Sequence, residues 1–228
     1  MLFRSVNADE IPRALRELQR LATAATRTTA IQSLLGIEGT AARTYFPLFA
    51  TLLQPASRPT TETDPEKAEP SLTFDWAGRT RRPPTDPINA CLSFAYSLLL
   101  RECTTAILAS GLDPYLGVYH QPRYGKPALA LDLMEEFRPL IAESVVLSLV
   151  NRRELRKSHL VQRGPACNLT TAGRRAVTAA FERRMETEIK HPIFGYAATY
   201  RRILAMQTRL FARTLLGEIP AYPPFRTR

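Results

Sequence analysis

Between Asp86 and Gly111 the chain carries the pattern that most restricts its fold. Asp86 offers an N-cap, Pro87 suits the first helical position, and Gly111 supplies a C-terminal stop. The spacing predicts one long helix that ends near Ser110. Most of its residues are apolar, yet the longest apolar run, Ile88 to Leu100, contains an asparagine and is too short to cross a bilayer. A chain of 228 residues, 45% of them apolar, can bury a sizeable core as one domain or as one domain with a flexible arm.

The rest of the chain reads as helical too. Ile11, Leu15, Leu18, Leu21 and Ala22 repeat at helical spacing and predict an amphipathic helix over 8–35, punctuated by Gly36 and Gly39. A second helix is expected over 38–53. Residues 54–70 are rich in Pro, Thr and Glu and read as a flexible loop. After Gly111 a Pro- and Gly-rich loop holds His120, and a helix resumes near Ala128, with Pro139 as a kink or a new start. Further helices are expected over 140–153, 170–190 and 193–217, the second capped by Thr171. Short β-prone pieces such as Val118-Tyr119 do not predict a sheet. The expectation is an all-α fold and a single domain over 1–228.

Cys91, Cys103 and Cys167 form no Cys-x-x-Cys pair, which argues against a disulfide framework or a zinc knuckle and for reduced thiols in a cytoplasmic protein. The net charge of +10 is unevenly placed: residues 1–150 carry 15 basic and 16 acidic side chains, residues 151–228 carry 16 and 5. Arginine supplies nearly all of the excess, and its planar fork suits phosphate oxygens. The pairs Arg152-Arg153, Arg174-Arg175, Arg183-Arg184 and Arg201-Arg202 are candidates for backbone phosphate contacts, although acids such as Glu182 and Glu186 compete for them.

Glu102, His120 and Glu135 are the candidate metal ligands, with Asp132 one turn before Glu135. Two carboxylates and an imidazole can hold a divalent cation with positions left open. Residue types alone leave other roles open. Glu102, with Leu98, Leu99, Ala106 and Ile107 in helical reach, can equally form a buried pair with Arg101 or Arg43. A lone histidine is often structural, and Asp132 and Glu135 can be a solvated face.

Three segments are carried in an order and spacing that resemble one family. They are LLGIEGTAARTYFPLF (34–49), WAGRTRRPPTDPINACLSFAYSLLLRE (76–102) and GLDPYLGVYHQPRYGKPALALDLMEEFRP (111–139). The first is similar to a Gly-x-Glu-Gly-x-Ala-Ala-Arg-x-Tyr-Phe signature. Together they resemble the CRISPR-associated spacer-acquisition integrases, the Cas-one family, over nearly the whole chain. The resemblance implies the helical catalytic domain of that type, without the small β-rich N-terminal domain usual in the family, as a fragment, a split product or part of a fusion.

The resemblance implies that Glu102, His120 and Glu135 are the catalytic metal ligands and that Asp132 is an auxiliary acidic residue. It implies that Asn89 supports the site from behind the ligands and that Arg138 binds DNA; Arg123 and Lys126, close in sequence to the ligands, are further candidates for DNA contact. The oxygen-rich set suits magnesium or manganese. The implied activity is metal-dependent DNA cleavage or transesterification in spacer acquisition, an antiviral defence. The implied partners are prespacer and CRISPR-repeat DNA, a second copy as homodimer, the small Cas-two protein, and in some systems Cas-four nucleases or reverse transcriptases; no membrane is implied. The alternatives are a stand-alone metal-dependent DNase without integration and a truncated, non-catalytic DNA-binding remnant.

Overall fold

A computed structural model describes residues 10–53, 76, 78–80 and 82–226. The loop expected over 54–70 lies outside them. Helix α1 (Glu10–Thr26) and helix α2 (Ile31–Leu52) form a hairpin. The break falls at residues 27–30, not at Gly36 and Gly39, which lie inside α2. Three threonines, Thr26, Thr28 and Thr29, crowd this turn, and threonine holds a helix poorly because its branched side chain loses freedom and competes for backbone bonds. Thr26 and Thr28 accordingly turn their hydroxyls onto the carbonyls of Thr23 and Ala24.

Helix α3 (Pro87–Ala109) is the centre of the molecule. Asp86 caps it by accepting from the Asn89 amide at 2.9 Å, and the chain leaves at Gly111 with φ +76°. Its 23 residues are long and apolar enough to cross a membrane by length and composition. Here they pack against helix α4 (Ala128–Phe137), a π-helical turn (Arg138–Glu143), helix α5 (Ser144–Asn151), helix α6 (Thr171–Met185) and helix α7 (Tyr200–Leu215). Ile88, Leu92, Leu99 and Ile107 of α3 are wholly buried there with Phe137, Leu149, Phe181 and Ile203. Pro139 neither ends the helix nor starts another. The π-turn absorbs its missing N–H, and the helical path runs from α4 into α5.

The all-α expectation needs one correction. The fold is mainly helical, but two small antiparallel hairpins belong to it: β1 (Leu160–Arg163) with β2 (Ala166–Leu169), and β3 (Glu188–Lys190) with β4 (Ala197–Thr199). The second pair replaces the ends of the helices expected over 170–190 and 193–217. Pro192 cannot continue a helix, Gly195 turns with φ +74°, and the His191 amide bonds back to the Tyr196 carbonyl. The cap of α6 is Thr170, one residue before the expected Thr171.

Candidate metal centre

Asp132 organises the loop before α4. One of its oxygens accepts from the amides of Val118 (2.7 Å) and Tyr119 (3.0 Å); the other accepts from the His120 amide (2.9 Å) and from His120 Nδ1 (2.7 Å). A carboxylate only accepts, so Nδ1 carries the proton, and Nε2 of the neutral ring keeps its lone pair for a ligand. Gly117 lets this loop close. A Cβ there would stand 2.6 Å from the His120 carbonyl oxygen and 2.7 Å from Ala128 Cβ.

A cavity of about 510 Å³ opens between the α1–α2 hairpin and the body of the domain. Its wall is mostly apolar, from Leu18, Leu21, Leu34, Ile37, Leu133 and Phe211, but Glu38, Asp132, Glu135 and Glu136 also line it. Glu38 accepts from the hydroxyl of Tyr119, whose ring meets His120 edge-on at 5.2 Å. Burial, the bond to Glu38 and the charges of Glu38, Glu135 and Asp132 all push the Tyr119 phenol up. Several carboxylates therefore face one low-dielectric space, an arrangement that a cation would relieve. Arg138 offsets part of that charge through an ion pair with Glu135 at 2.9 Å.

Neither His120 nor Glu102 lines the cavity; Asp132 holds His120, and Arg201 Nη1 holds Glu102 at 2.6 Å, with Arg101 at 3.6 Å. The same guanidinium reaches Glu182 (2.6 Å) and Glu186 (2.9 Å). The ion-pair alternative for Glu102 is thus what the structure contains, with Arg201 as the main partner. Its expected convergence with His120 and Glu135 is not seen. Glu38 shares the cavity with Glu135. The sequence did hold a signal for it, as Glu38 is the glutamate of the Gly-x-Glu-Gly segment, but its helix carries no other sign of a site. Among the described residues no three His, Cys, Asp or Glu side chains are drawn together closely enough to enclose an ion. Glu38, Asp132 and Glu135 line the cavity without converging, and His120 is held by Asp132.

Asn89 does not back any of these groups. It lies thirteen residues from Glu102, about 20 Å along α3. Its side chain accepts from the Thr80 amide and from Arg79, and donates to Gly78 and Asp86. Asn89 therefore ties residues 78–80 to the start of α3. Arg123 and Lys126 bracket a tight turn in the loop before α4, where Arg123 and Tyr124 are exposed. Of the paired arginines, Arg183 pairs with Glu154, Arg184 bonds the Leu140 carbonyl and lies over Tyr200, and Arg201 holds its three glutamates. His159 and His191 do not line the cavity; they lie in the β-hairpin region.

The family described as CRISPR associated protein Cas1 matches residues 2–183. The chain belongs to the Cas1 family. It is 51% identical over 217 residues to a CRISPR-associated exonuclease Cas4/endonuclease Cas1 fusion of Geobacter sulfurreducens, covering 95% of this chain and 37% of that protein. It is 35% identical over 217 residues to the CRISPR-associated endonuclease Cas1 of Leptospira interrogans, covering 95% of this chain and 80% of that one. Among solved structures, a chain of a Cas6-RT-Cas1–Cas2 complex superposes with a TM-score of 0.74 at 25% identity, over 98% of this chain and 22% of that chain. This Cas1 chain thus spans little more than a third of the Geobacter relative.

Proposed function

We propose that this Cas1 chain is the helical catalytic part of a divalent-metal-dependent DNA endonuclease and integrase that acts in CRISPR spacer acquisition. The carrying observation is the cavity lined by Glu38, Asp132 and Glu135, with His120 fixed by Asp132. The names of its relatives, an endonuclease among them, support the same reading. Glu102, His120 through Nε2, and Glu135 would hold magnesium or manganese, and Asp132 would set the imidazole; Arg201 holds the Glu102 carboxylate in place, and Glu38 adds a further carboxylate to the cavity. A metal held there supplies Lewis acidity to a phosphodiester oxygen.

The protein's own groups do the rest. Asp132 keeps the His120 ring in one tautomer and one orientation. Arg138 stands next to Glu135 as a phosphate contact, and Arg123 and Lys126 lie on the exposed turn of the same loop. DNA, a second copy and Cas2 are the proposed partners, since a neighbour in fold is a Cas1–Cas2 assembly.

The test is cleavage of branched DNA with manganese, magnesium or chelator. Wild type should cut only with metal. His120→Ala and Glu102→Gln should lose activity, each by at least about a hundredfold, of the order seen when a group acting on transition-state charge is removed. Activity kept with Glu102→Gln but lost with Glu38→Gln would refute this ligand set and put Glu38 in the place of Glu102.

A further inference from the structure

Behind Glu135 lies a buried carboxylate that no role above uses. Glu143 is 4% exposed and accepts hydrogen bonds from two phenols, Tyr45 at 2.5 Å and Tyr96 at 2.6 Å. Tyr96 in turn carries two guanidiniums on its ring, Arg138 at 5.3 Å and Arg79 at 5.4 Å from the centroid. Such cation–ring contacts are strongest when desolvated, and a phenol that donates to a carboxylate presents a more electron-rich ring. Arg79 is further fixed by Asn89 and Ser93. Arg138 reaches Glu135.

The π-turn explains how one short segment supplies both ends of this chain. Residues five apart point to different sides of an α-helix but stack in a turn closed by i→i+5 hydrogen bonds. Arg138 and Glu143 are the first and last residues of that turn, and both address Tyr96. A regular helix through Pro139 would separate them.

We propose that Glu143, acting through Tyr96, is the positioning residue for Arg138, and that this chain holds the Arg138 guanidinium at the cavity edge to receive a DNA phosphate. Tyr45 shares the load by occupying the second oxygen of Glu143. The proposal rests on the DNA-directed reading of the site, and its readout is binding, not catalysis.

The experiment measures binding of a labelled DNA duplex to the full chain by anisotropy, in calcium, over a range of salt concentrations. Wild type, Arg138→Gln, Tyr96→Leu and the double variant are compared, with melting temperatures as a check on folding. One phosphate contact contributes about 0.9 to the slope of log affinity against log salt. Arg138→Gln should lower the slope by about that amount, Tyr96→Leu by a similar amount, and the double variant by no more than either. A merely structural Tyr96 would lower stability and leave the slope alone. Should Tyr96→Leu fail to fold, Tyr96→Phe keeps the packed ring and removes only the bond to Glu143, and must show the same non-additivity. An unchanged slope in the Tyr96 variants, or additive effects, overturns the proposal while the DNA-binding reading stands. Binding by wild type that is absent or indifferent to salt overturns both.

Discussion

Asp132→Asn replaces one acceptor oxygen by a donor without changing shape. The carboxylate now takes four hydrogen bonds, two on each oxygen. Whichever way the amide turns, two of them are lost and an NH₂ group faces N–H donors. Turning it toward Val118 and Tyr119 is the milder choice, because the exposed Val118 amide can find water, and the Tyr119 amide is only half-buried. A bond to a charged acceptor is worth about 1.5–3 kcal/mol, so the loss of one outright and one in part comes to about 2–3 kcal/mol. At roughly 2–4 °C per kcal/mol for a chain of this size, the melting temperature should fall by about 5–10 °C. Amide exchange at Val118 and Tyr119 should quicken in the same variant. A melting temperature within about 1 °C of wild type, with unchanged exchange at those amides, would refute the claim that Asp132 builds this loop.

Three further outcomes follow from other contacts. Gly117→Ala forces a Cβ against the His120 carbonyl and Ala128, so it should cost about 1–3 kcal/mol in thermal melts and weaken manganese binding together with stability. Arg201→Gln should destabilise by about 1–2 kcal/mol, because Glu102, nearly buried, loses its main partner, while Glu182 and Glu186 remain solvated; denaturant melts that match wild type would contradict this. Burial holds the His191 pKa below its ordinary value of 6.5. Its contribution to stability is therefore complete above that value and is lost as the pH falls through the lowered one. Melting temperatures of His191→Leu should decline less than those of wild type on acidification from about pH 7 to pH 5, and parallel declines would count against the assignment.

Much of the site was legible because it is local. Asp86-Pro87 and Gly111 mark α3 by rules of helix ends, and the structure places its ends where those rules do. His120 and Asp132 are close in sequence, and the α4 pattern puts Asp132 and Glu135 on one face, so a loop histidine next to a carboxylate helix could be read directly. The hairpins were harder. A stretch of three or four residues is too short for period-2 alternation to stand out, and Glu188–Lys190 and Ala197–Thr199 merge into the helical patterns beside them. The π-turn left only Pro139 as a trace, which fits a kink or a new start equally well.

By itself the sequence determined the Cas1 family and the long central helix with its ends, and it put Asp132 and Glu135 on one helix face. Only the tertiary structure decided which side chains surround Glu102 and Glu38. Periodicity tells which residues share a helix face, but not which other element will cover that face. Glu102 and Arg201 are 99 residues apart, and Glu38 and Tyr119 are 81 apart. Packing of α7 against α3 gives Glu102 a guanidinium, and the α1–α2 hairpin carries Glu38 to the cavity that α4 also lines. A carboxylate among apolar neighbours must find a positive partner of some kind. The partner that the fold brings beside Glu102 is Arg201, carried there by α7.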